Sequence, residues 1–125
     1  MKLKYLLIIE AIFSLLTGTG IVLAPATILS LYRLKTDAVG VFMSQTAGAL
    51  YADLGLLAWL VRNVIGSELR NAITLAYLVY HLISLIVALQ AWLMGAFAFE
   101  LGWVSVVVEL FFAAGFAYFR FKNSN

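Results

Sequence analysis

Apolar residues run along this chain in four long stretches, at about 5–24, 39–61, 69–93 and 103–121, and polar residues gather at the breaks between them. In each stretch the apolar residues cover most helical faces, the pattern of a helix whose surroundings are themselves apolar. Each stretch is close to or beyond the ~20 residues that a helix needs to cross the hydrocarbon of a bilayer. The breaks carry the chemistry of helix ends. Pro25, the single proline, suits the first turn of a new helix. Thr36 and Asp37 can cap the second stretch. Gly66 is placed to end it, and Ser67 with Glu68 to start the third. Gly95 and Gly102 bracket a turn over residues 94–102 that contains Glu100, with Trp92 and Trp103 beside it at the depth of an interfacial aromatic belt. The tail, residues 123–125, is expected to fray. Residues 26–34 set Ile28, Leu29, Leu31, Tyr32 and Leu34 against Ser30 and Arg33. They read either as a short helix lying at the membrane surface or as a loop dipping into the headgroups.

Polar residues also occur inside the apolar stretches, at helical spacing. Glu10, Ser14, Thr17 and Gly18 form a stripe in the first, and Gln45, Ala49 and Asp53 in the second. Tyr77, His81, Ser84 and Ala88 form one in the third, and Ser105, Glu109 and Ala113 in the fourth. Lipid cannot satisfy such groups, so the stripes are expected to face one another in a single bundle. Residues 39–61 organise this expectation, because Asp53 is a carboxyl set deep among Gly48, Ala49, Ala52 and Gly55. Gly48 with Ala52 is a small-xxx-small pair and is read as a contact inside the bundle.

Composition strengthens the membrane reading. The chain has 125 residues, 65% hydrophobic and 11% charged, with a mean hydropathy of +1.05. A soluble domain is nearer half apolar and a quarter charged. The net charge of +2 is too small to argue for nucleic acid. With no cysteine there is no disulfide or thiolate metal site. Lys2 and Lys4 precede the first stretch, as in a signal peptide. Yet Glu10 interrupts the apolar run, the run continues past Gly18 and Gly20, and Ala24-Pro25-Ala26 is a poor cleavage site. A retained helix is therefore expected.

Four spans place both chain ends and the link between spans two and three on one side. That side carries Lys2, Lys4, Arg62, Arg70, Arg120 and Lys122, and the other carries Arg33 and Lys35. The positive-inside rule then puts both ends in the cytoplasm.

The groups that can carry chemistry are Glu10, Gln45, Asp53, Tyr77, His81 and Glu109. By helical rise His81 lies near the midplane, with Asp53 and Glu109 each roughly 5 Å away in depth, on opposite sides. His81 can reach either, depending on which helices adjoin. One reading is a site that handles a proton or orients a ligand, since histidine exchanges a proton near neutral pH and a desolvated carboxyl favours its neutral form. The other is that these groups only tie helix to helix. Tyr77 and Tyr80 flank His81 and are read mainly as core packing, with a pocket for a flat or isoprenoid ligand as the alternative. Phe111, Phe112, Phe116, Tyr118, Phe119 and Phe121 are read as facing lipid or the interface. A metal is not expected: there is one histidine, and the Glu-x-x-His pair of di-iron bundles is absent.

The pattern resembles the DoxX-like group of small four-helix membrane proteins, in particular its members of unknown function. The resemblance covers nearly the whole chain. It rests on residues 18–25, the run Gln45-Thr46-Ala47-Gly48-Ala49-Leu50, Gly55, His81, and Gly115-Phe116-Ala117-Tyr118. Relatives often carry an arginine near the position of Gln45; this chain does not, and no anion or ligand site is carried over. The resemblance implies a four-helix bundle with an accessory or unknown role. Through DoxX-like proteins that accompany quinone-linked oxidoreductases, and through related sterol-binding and sterol-isomerase-like folds, it also implies a quinone or lipid as the class of any ligand.

The expectation is thus an all-α, integral membrane four-helix bundle forming one domain over residues 1–125, with a short interfacial helix between the first two spans. It is a multi-pass protein of the plasma membrane, an accessory or structural subunit that packs against itself or a larger complex. The alternative is a lipid-, sterol- or quinone-binding bundle with proton-transfer chemistry at the Asp/His/Glu site.

Overall fold

The computed structural model describes residues 2–96 and 99–122; the regular elements among them are all helices, with no strand. The helices are α1 (Leu3–Leu23), α2 (Pro25–Leu31), α3 (Ala38–Val61), α4 (Ser67–Leu93) and α5 (Phe99–Lys122). Three helical segments among the described residues are long and apolar enough to cross a membrane: Leu3–Leu23, Ser67–Leu93 and Leu101–Lys122. Helix α3 is long enough at 24 residues, but Ser44, Gln45, Thr46 and Asp53 dilute its hydropathy. The tail at 123–125 and the side chain of Glu100 lie outside the described residues.

The helix ends follow from local chemistry. Asp37 caps α3, its Oδ1 accepting the Gly40 amide at 2.8 Å. Pro25 opens α2, as its fixed φ favours. Residues 26–34 therefore begin as a short helix, which closes where Arg33 takes φ 57° and the Leu34 amide reaches back to the Leu29 carbonyl at 3.0 Å. Helix α4 ends in a Schellman turn at Gly95, with φ +68°. There the Ala96 amide donates to the Ala91 carbonyl at 2.9 Å and the Gly95 amide to that of Trp92 at 3.0 Å. Glycine takes this left-handed conformation without a Cβ penalty.

Two expected boundaries are corrected. Gly66 does not end α3, which stops at Val61 where Arg62 folds back to donate to the Trp59 carbonyl. Gly66 instead precedes α4, and its carbonyl accepts the Arg70 amide at 2.9 Å. Gly102 does not border a turn, because α5 already begins at Phe99; a Cβ at Gly102 would run into the Trp92 ring.

The chain divides into two compact units, Met1–Asn63 and Val64–Asn125. In the first, α1 packs on α3 along a seam of small residues. A Cβ at Gly18 would lie 2.4 Å from the Ala52 nitrogen and 2.5 Å from the Gly48 oxygen, so the two backbones touch. The reading of Gly48 and Ala52 as an internal contact is borne out. Lower on the same seam, Gly55 meets Ala11 and Leu15. In the second unit, α4 packs on α5 through large side chains. Tyr77, Phe112, Phe116 and Phe119 are buried there, with Gly102 and Ala113.

Candidate functional site

Hydroxyl groups in the helices turn back on their own backbone. Ser44 Oγ donates to the Gly40 carbonyl at 2.7 Å, Thr46 Oγ1 to that of Phe42 at 3.0 Å, and Thr74 Oγ1 to that of Arg70 at 2.6 Å. Each bond spans four residues and satisfies the donor within its helix, as an apolar environment requires. The ionisable groups and the long amide need partners beyond such bonds.

In the second unit His81 is fully buried, and its Nδ1 lies 2.7 Å from Glu109 Oε2. Of the two reaches open to His81, α5 supplies Glu109. The bond forms in either protonation arrangement: an ionised carboxylate accepts from Nδ1–H, and a protonated carboxyl donates to bare Nδ1. Rings enclose the imidazole. Phe112 stacks on it with centroids 4.9 Å apart and Phe116 with centroids 5.7 Å apart, while Tyr80 presents an edge at 4.9 Å. Tyr77 stacks on Phe116 at 5.0 Å. The Glu109 side chain keeps 13% exposure, so the pair has a closed end at His81 and an open end at Glu109.

The assignment of the α5 aromatics to lipid is corrected for three of them. Phe112, Phe116 and Phe119 are buried, whereas Phe111, Tyr118 and Phe121 are exposed as expected. The signal was present in the spacing. Glu109, Phe112, Phe116 and Phe119 fall at steps of three and four, one face of a helix.

In the first unit Glu10 is fully buried on α1 and accepts from Ser14 Oγ at 2.7 Å. Gln45 reaches from α3 to α1, its Nε2 donating to the Val22 carbonyl at 3.0 Å. Helix ends leave such carbonyls without a helical donor, which the sequence pattern did not single out. Asp53 behaves differently. It is exposed, as is Ala49, and among the described residues Asp53 makes no hydrogen bond or ion pair. Within this unit, then, the Ala49–Asp53 edge is not the face of α3 that packs on α1. Gly48, Gly55 and Ala58 are the buried residues of α3. Small side chains let α3 close on Gly18 of α1, and that contact turns the Ala49–Asp53 edge away from α1.

No family model matches this chain, and comparison with curated proteins and with solved structures finds no match.

The chemistry of the two units follows from their geometry. The His81–Glu109 pair can hold a proton between nitrogen and oxygen, and Phe112 and Phe116 stack on its imidazole. Glu10 and Gln45 are engaged with Ser14 and with backbone. Among the described residues no group of three or more His, Cys, Asp or Glu side chains converges as a metal site.

Proposed function

We propose that the protein is a non-catalytic component of a plasma membrane, an accessory or structural subunit whose intramembrane polar groups join helices. The observation that carries this reading is the packing of His81: it is fully buried, Phe112 and Phe116 stack on its ring, and its Nδ1 is hydrogen-bonded to Glu109 on the facing helix. The abundance of exposed apolar side chains, among them Leu16, Leu50, Ile83, Leu93 and Phe121, suits a chain surrounded by lipid and other membrane helices.

In this reading all four long helices cross the bilayer, α3 included, with both chain ends cytoplasmic and α2 at the outer surface. Six of the eight Lys and Arg residues fall on the cytoplasmic side. Two of those six lie over interfacial rings: the Arg62 guanidinium 3.8 Å from the Trp59 ring centre, and the Lys122 ammonium 5.3 Å from that of Tyr118. The DoxX-like resemblance supports the same architecture.

Native mass spectrometry on gently extracted protein tests the reading. The expected spectrum shows the chain with protein partners or further copies of itself and no stoichiometric small molecule. A stoichiometric quinone or sterol, lost in a folded His81→Ala variant, would replace the structural reading with the ligand-binding one.

A further inference from the structure

Helices α1 and α3 run antiparallel: Gly18 meets Gly48 and Ala52, while Ala11, earlier in α1, meets Gly55, later in α3. The start of α1 and the finish of α3 therefore lie at one end of the first unit. That end carries Lys2, Lys4 and Arg62 and no acidic side chain. Glu10 is buried and bonded to Ser14, and Asp37 caps the far end of α3. Asp53 stands nine residues before Arg62, about two and a half turns down the helix. The second unit cannot make up the shortfall, however it sits. In it His81 meets Glu109 and Trp92 meets Gly102, so the start of α4 and the finish of α5 share an end. That end brings Arg70, Arg120 and Lys122 against one acid, Glu68, while Glu109 is held by His81 and Glu100 belongs to the opposite end of α5. Cations drawn together without counter-ions repel one another, so an anion from outside the chain lowers their energy.

The class of that anion follows from where the cations stand. Arg62 comes directly after the apolar run of α3, and its guanidinium lies 3.8 Å from the centre of the Trp59 ring. Lys2 and Lys4 flank the first apolar residues of α1. A ligand at this end meets fixed positive charge and hydrocarbon together. Inorganic phosphate or an acidic peptide answers only the charge, whereas an anionic phospholipid answers both. One guanidinium N–H of Arg62 donates to the Trp59 carbonyl, and the planar fork has further donors that match two oxygens of a phosphate. We propose that this end of the first unit binds the phosphate of an anionic phospholipid, held by Arg62 with Lys2 and Lys4. The site rests on the proposed reading that α1 and α3 cross a bilayer with this end cytoplasmic, on the leaflet where anionic lipid is found. It lies at headgroup level, where water and salt screen the charges, so the lipid exchanges with the bilayer and leaves on extraction into detergent.

Trp59 sits under Arg62 and reports on the site. The full chain with Trp92→Phe and Trp103→Phe keeps it as the sole tryptophan. In phosphatidylcholine vesicles, a small fraction of phosphatidylglycerol brominated on its acyl chains should quench Trp59 more than the same fraction of brominated phosphatidylcholine. Changing Lys2, Lys4 or Arg62 to Gln should weaken that preference by about fivefold for each cation removed, and the triple variant should lose it. Lys2→Arg with Lys4→Arg should keep it. Arg33→Gln with Lys35→Gln, before the other end of α3, should leave it unchanged, and an equal loss there would overturn the site. Millimolar inorganic phosphate should not displace the lipid; displacement would make the occupant a soluble anion and overturn the proposal. The two ways of failing are distinct. Equal quenching by both lipids places the finish of α3 in a bilayer and overturns the lipid site alone. If neither lipid quenches Trp59, α3 does not cross the bilayer, and the site falls with that reading.

Discussion

Helices α1 and α3 meet backbone to backbone over Gly18, Gly48 and Gly55, whereas α4 and α5 meet through rings and a hydrogen-bonded His–Glu pair. The first arrangement gains van der Waals contact by removing side chains, and the second by filling a gap with them. In the proposed membrane setting, where lipid tails are as apolar as leucine, neither interface draws on a hydrophobic driving force between helices. The contrast shows two ways to hold a pair of apolar helices without one. In the small-residue seam the backbones themselves meet, with Glu10 and Ser14 buried on α1 and Gln45 tying α3 to the end of α1, while Asp53 lies off the contact. In the ring-filled seam, the polar pair sits inside the contact and fixes which faces of α4 and α5 meet.

The contrast is broken most directly at Gly18. A valine there would press its Cβ into the backbone of α3, with no flexible side chain able to yield. Gly18→Val should lower the stability of the first unit by about 3 kcal/mol or more, at the upper end of overpacking costs. Thermal unfolding followed in mild detergent reads this, with Gly66→Ala as the control, since nothing lies within 4 Å of a Cβ at Gly66. An unchanged Gly18→Val variant would mean that the backbones do not touch.

A smaller effect is expected at Gln45, the side chain that ties α3 to the end of α1. Gln45→Ala should cost about 0.5–1.5 kcal/mol, the usual worth of one hydrogen bond, and should leave the small-residue seam in place. Cysteine crosslinking between α1 and α3 would check that the seam persists. A loss as large as that from Gly18→Val would show that the first unit also depends on polar links, and the contrast would fail.

Much of this was legible in the pattern of residues. Apolar runs placed the four long helices to within a few residues, because a helix that is apolar on most faces leaves few alternatives. Capping by Asp37 and the turn at Gly95 were legible because a carboxylate acceptor and a glycine are the residues those positions favour. The buried stripes through Glu10 and Ser14 and through Tyr77 and His81 followed from polarity at helical spacing. The α3 face was not legible in the same way. Ala49 and Gly48 are neighbours in sequence and differ by about 100° on the helix. Polarity favours the Asp53 edge and close approach favours the glycine edge, and a single helix does not say which of the two wins. Gly18 on α1 decides it. The burial of Phe112, Phe116 and Phe119 was missed for a related reason: in an apolar helix, aromatic residues facing lipid and facing a partner look alike until a polar neighbour such as Glu109 marks the face.

The central claim is that His81 and Glu109 act as a structural tie between α4 and α5. A double-mutant cycle with His81→Ala, Glu109→Ala and the combined variant, measured by reversible unfolding in lipid-containing micelles, tests it most directly. The account predicts a coupling of about 1–2 kcal/mol, near the top of the range for polar contacts in membranes. Additive losses with no coupling would contradict it.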